Sequence, residues 1–173
     1  MKSTDFFLIL LAPFIPKWTF ERLKVIKNKT LISLSSFGII LVLTSALLIL
    51  LIKEAKPKYI LFYNFGVISN VLISGVFVSV IASKLLNKKI NLKEGVSIAS
   101  VSSLVLIILP ILQYTLNIQQ SITIGNLNII YSLLISIAIS KFNNIPIKKT
   151  FLIGILLFVL KGMFYLSFFG IEL

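Results

Sequence analysis

Apolar and polar positions come in blocks along this chain, long hydrophobic runs separated by short clusters of lysine, asparagine and proline. Near the middle, one run begins at Val67 and another ends at Tyr114, and the turn between them bears Lys84, Lys88, Lys89 and Lys93. Apolar segments of this length joined by a cationic elbow predict a transmembrane hairpin whose elbow stays on one side of a bilayer. The same grammar extends outward and predicts spans at about 31–52, 59–83, 96–114, 122–140 and 150–170. Residues 30–173 then form a five-span membrane domain, preceded by a cytoplasmic segment over 1–29. The predicted fold class is all-α: a polytopic integral membrane protein, a five-transmembrane-helix bundle with an N-terminal interfacial amphipathic helix.

The first apolar stretch, Phe6 to Ile15, is too short to cross a hydrocarbon core of about 30 Å and is interrupted by Pro13, with Pro16 following. Asp5 before it, and no small-residue cleavage site after it, argue against a cleaved signal peptide. From Pro16 to Lys27, a helix would place Phe20, Leu23 and Ile26 on one side and most cationic residues elsewhere. That pattern predicts an interfacial helix started by Pro16 and anchored by Trp18 at headgroup depth. A solvated juxtamembrane linker is the alternative. The fourth span is the weakest, with Asn126 and Asn128 near its start, and Pro146 sets the turn before the fifth.

Composition supports the membrane reading and removes several others. Hydrophobic residues make up 58% of the chain and charged ones only 13%, against about a quarter charged in soluble domains. Seventeen lysines and arginines stand against five acids. A nucleic-acid-binding stripe needs a water-facing surface that the apolar runs do not leave, so nucleic acid is not an expected partner. The lipid bilayer is, with anionic headgroups meeting the loops at about 1 kcal/mol per lysine. Counted by side, thirteen cationic residues fall with the N-terminus and the second and fourth loops, and three in the first loop. The expected location is therefore a cell membrane of the cytoplasmic type, multi-pass, with the N-terminus cytoplasmic. Cysteine is absent, which leaves the redox compartment open.

Within the spans, small residues recur every four positions: Gly75, Ser79 and Ser83; Gly95, Ala99 and Ser103; Ser132, Ser136 and Ser140. Residues four apart share a helix face, and small ones let backbones approach closely in lipid. The second, third and fourth spans are expected to make the tight centre, with the first and fifth peripheral. The other reading of the serines is a polar path for a solute or ion. Pro110, inside the third span, leaves the Leu106 carbonyl without its helical donor and marks a bend, a hinge or a cavity. Lys161 lies well inside the fifth span, where an amine must snorkel or find a partner, and it is the best single functional candidate.

Histidine and cysteine are missing, and the acids are confined to Asp5, Glu21, Glu54, Glu94 and Glu172. No histidine base, thiolate or zinc pair can be assembled, so no catalytic or metal-binding residue is assigned and an enzyme is not expected. No phosphate-binding loop or dinucleotide fingerprint occurs, and no cofactor is implied. No acid sits at membrane depth for proton coupling, yet serine and asparagine could coordinate a sodium ion or polar solute. A small transporter or channel subunit is the second functional reading.

Three stretches resemble the Yip family, the Ypt/Rab-interacting membrane proteins, in its short prokaryotic form. They are Pro16-Lys17-Trp18-Thr19-Phe20-Glu21-Arg22-Leu23, then Lys93-Glu94-Gly95-Val96 with Ile107-Ile108-Leu109-Pro110, and Ile145-Pro146-Ile147-Lys148-Lys149-Thr150. The resemblance covers roughly Pro16 to Phe169. It implies five spans, a cytoplasmic N-terminus and a non-enzymatic role as a membrane-organising or trafficking-type scaffold or adaptor, with protein partners or a homo-oligomer. Where eukaryotic relatives have a glycine-tyrosine pattern before the third-span proline, this chain has Ser102, Ser103 and Leu104.

Overall fold

The computed structural model describes residues 8–26, 28–51, 57–108 and 124–169, and every regular element within them is helical. The elements run in chain order as α1 Pro16–Val25, α2 Lys29–Leu51, α3 Pro57–Phe77, a π-helical turn Val78–Ala82, and α4 Ser83–Leu86. They continue as α5 Leu92–Ser102, α6 Ile124–Asn143 and α7 Ile147–Phe169. Before α1, a short turn over 8–10 folds back so that Ile9 and Ala12 are wholly covered. Among the described residues two helical stretches are long and apolar enough to cross a membrane, Lys29–Leu47 and Tyr63–Leu86. At 1.5 Å per residue they reach about 29 and 36 Å.

The hub is α5. Every residue from 97 to 107 is buried, because α2, α3 and α6 all pack on it. Its start is specified locally: the Asn91 side chain accepts from the Glu94 backbone N–H at 2.8 Å, and Glu94 itself lies in the first turn beside the helix's positive end. Between α3 and α5 the backbones cross with no room for a side chain. A Cβ on Gly75 would stand 2.8 Å from Val96 Cγ2 and 3.1 Å from Val96 Cα. One on Gly95 would meet the Gly75 carbonyl oxygen, with Ser79 N at 3.3 Å. The π-helical turn begins within this crossing, one residue before Ser79.

That turn changes the face of the residues after it. In a π turn the bond spans five residues, so a position four further on falls short of a full revolution. Ser83 accordingly leaves the row of Gly75 and Ser79 and closes the following elbow, accepting from the Ile90 N–H at 2.9 Å. The helix continues to Leu86, three residues beyond the sequence expectation of Ser83.

The expected third span is not one regular helix. Ser100 and Ser103 return their hydroxyls to the carbonyls of Ser97 and Ser100, at 3.1 and 2.7 Å. The ladder tightens there, with Leu106 N bonded to Ser103 O, before helix resumes over 104–108. Serine back-bonding of this kind bends helices. Pro110 lies outside the described residues, yet the Leu106 carbonyl accepts from the Tyr63 hydroxyl of α3.

Packing at the periphery also departs from expectation. α7 lies along α6 at a second close approach: a Cβ on Gly154 would strike Ser136 Oγ and stand 2.8 Å from Ser132 O. The serine row of α6 thus faces the last helix. α2 reaches the hub through a buried Ser33–Ser97 hydroxyl pair at 2.9 Å. Phe20 and Leu23 of α1, expected to face lipid, are fully covered because α1 packs on α6, with Phe20 edge-on to Phe142 at 6.2 Å.

Apolar side chains face outward as well as into the core. Leu31, Val42, Leu61, Phe65 and Val159 face outward, each at least half exposed, while Ser33, Ser36, Asn70, Ser74 and Ser97 are buried. Gly95→Ala should force the two backbones apart and cost about 1–3 kcal/mol. Gly38→Ala, with nothing within 4 Å of the added methyl, should not. Thermal unfolding in detergent measures both, and equal melting of the two variants would refute the crossing.

Candidate functional site

Three elbows meet at one end of the bundle, and each contains an asparagine in the left-handed conformation: Asn28 at φ 63°, Asn87 at φ 49° and Asn144 at φ 53°. Asparagine tolerates this region better than other residues with a side chain. The α4 and α6 ends close alike. Lys88 N bonds Ser83 O at 3.1 Å and Ile145 N bonds Ser140 O at 3.0 Å, satisfying carbonyls that a helix end leaves open. The serine hydroxyls add a second tie, Ser140 Oγ donating to Ile145 O at 2.6 Å.

Side chains then pin the elbows to one another. Lys88 Nζ donates to the Asn143 carbonyl, and Lys24 Nζ donates to Asn144 Oδ1 at 2.8 Å. Lys29 Nζ sits 4.8 Å from the centre of the Phe142 ring, and Thr30 Oγ1 donates to Lys93 O at 3.3 Å. Lys141 pairs with Glu21 at 2.7 Å across α6 and α1. The hydrogen bond from Lys141 holds the Glu21 carboxyl below its ordinary range, against a smaller opposing effect of desolvation. The result is a basic end in which lysine side chains tie one elbow to the next.

A second polar layer lies about 22–25 Å from these elbows at 1.5 Å per residue. Lys161 of α7 is buried there, its Nζ 3.5 Å from the centre of the Tyr131 ring of α6, within the range of a cation-π contact. Nζ has no hydrogen-bond partner among the described residues. On the α3 side, Asn70 and Asn128 line a cavity of about 170 Å³ with Tyr63, Gly66 and Leu106. Ser74 Oγ donates to Asn70 Oδ1 at 3.3 Å.

The small residues singled out in sequence separate into distinct tasks. Gly75, Ser79 and Gly95 form the α3–α5 crossing, Ala99 is fully buried in the hub, and Ser103 bends it. Ser132 and Ser136 face Gly154, whereas Ser83 and Ser140 brace elbows. Trp18 is partly exposed on α1, 5.9 Å below the Arg22 guanidinium. Gly154, Tyr63 and Asn70 were not singled out in sequence. A lone glycine amid apolar residues was the available signal for the first; the other two gain meaning only from what lies opposite them.

Because Lys141 favours ionised Glu21, this exposed pair's small contribution to α1 docking is present at neutral pH and lost as pH falls through the lowered carboxyl value. Trp18 is the only tryptophan and sits on the same helix. Its emission should shift on acidification of the wild type, and Glu21→Gln should show the acid-form spectrum at neutral pH. A wild-type spectrum in the variant would rule the coupling out. Comparison with protein-family models, curated proteins and solved structures finds no match for this chain.

Proposed function

We propose that the chain is a five-span protein of a cytoplasmic-type membrane, its N-terminus and basic end cytoplasmic, acting as a non-enzymatic membrane-organising scaffold. The observation behind this reading is the apolar exterior. Large apolar side chains cover the outside of α2, α3 and α7, while several serines and asparagines and Lys161 are buried beside the apolar core. An exposed apolar surface of this extent supports contact with lipid. The pinned elbows support an alternating arrangement, since Asn28, Asn87 and Asn144 lie at one end, where α2, α5 and α7 begin and where the α3–α4 stretch and α6 finish. A role of the Yip type, recruiting protein partners or a second copy, would use the basic face that the pinned elbows present.

Reporter fusions test this. One placed after Asn87 should report from the cytoplasm and one after Asn117 from the opposite side; both on one side would end the five-span reading.

A second reading, a small transporter or channel subunit, is favoured by one feature. The Asn70–Asn128 cavity lies at the depth of Lys161, so polar groups from α3, α6 and α7 share a layer. Reconstituted flux of sodium or a small polar solute that vanishes in Lys161→Met would establish that role. Vesicles no leakier with the protein than without it would leave the scaffold.

A further inference from the structure

The elbows leave a groove of about 570 Å³ between α4 and the start of α7. Its rim carries Lys88, Lys148 and Lys149, and no carboxylate lines it. Its wall is apolar, made chiefly of Leu85, Leu152 and Ile153, with the first two more than half exposed. Lys88 is held in place by the Asn143 carbonyl, while Lys148 and Lys149 are exposed in the first turn of α7.

We infer that this groove is a binding site for one anionic phospholipid. The inference rests on the reading that this end meets the cytoplasmic face of a bilayer. Cationic rim and apolar wall are adjacent, so the occupant must be negative at one end and oily at the other. A free phosphate would leave Leu85 and Leu152 facing water, and a zwitterionic lipid would bring an ammonium towards three lysines. An anionic lipid satisfies both surfaces, with its phosphate at Lys148 and Lys149 and an acyl chain descending along Leu152. The position fits: the groove opens where the apolar part of α7 begins, the level at which a headgroup passes into hydrocarbon. Other lysines of the basic end attract the same lipids, but Lys88, Lys148 and Lys149 line a groove with an apolar wall.

The test uses the full chain in phosphatidylcholine nanodiscs containing a minor fraction of phosphatidylglycerol, with native mass spectrometry of the lipid that stays bound on release. Wild type should retain phosphatidylglycerol roughly tenfold above its share of the bilayer, as two surface lysines acting together allow. Lys148→Gln with Lys149→Gln should return the ratio to that of the bilayer. Lys17→Gln with Lys93→Gln, an equal charge change outside the groove, should leave it enriched. Excess inorganic phosphate should not displace the lipid. Equal loss in both double variants would overturn the site in favour of general charge attraction, and displacement by phosphate would make it an anion site. A chain that leaves membranes on alkaline extraction refutes the membrane reading itself. That result is distinct from an embedded chain without enrichment, which refutes only the groove.

Discussion

The bundle depends on the distance at which two backbones can pass. Gly75 and Gly95 let α3 and α5 approach until the Gly75 carbonyl stands where a Cβ on Gly95 would be. Small residues at the seam let the two backbones reach close van der Waals contact, and the sum of those contacts holds the pair. With α3 seated, α5 can be covered on its other sides by α2 and α6. The second approach, Gly154 against Ser132 and Ser136, applies the same device to α7.

Close packing leaves polar groups with a narrow choice of partners, and most find one within the bundle. Ser33 meets Ser97, Asn64 donates to Ser45 at 2.8 Å, and the Tyr63 hydroxyl donates to the Leu106 carbonyl. A buried polar group without a partner costs free energy, so these pairings help specify which helix faces which. Lys161 is the exception of greatest functional interest. It rests on a tyrosine face, which a charge could use but which is a weaker partner than a carboxylate.

The basic end obeys different physics. Its asparagines turn the chain, its serines close helix ends, and its lysines reach from one elbow to the next. Such contacts are individually weak where water reaches them. Their effect is cumulative geometry: they tie the elbows together and set Lys88 beside the start of α7. A flexible set of loops with the same composition would present charge without a groove.

Block patterning along the chain determined the helical class and the positions of the elbows, because length, hydropathy and lysine distribution are local properties. The four-residue spacing likewise marked Gly75 and Gly95 as positions of close approach, since one helix face is readable from one segment. Tertiary structure alone decided the rest. Whether a serine packs, bends a helix or closes a turn depends on what lies opposite: Ser136 meets Gly154, Ser103 meets its own carbonyl ladder, and Ser83 is turned to its elbow by a π-helical turn that no spacing announced. The same holds for the apolar face of α1. Amphipathicity shows that a face will be covered, and only the fold chose α6 over lipid as the cover.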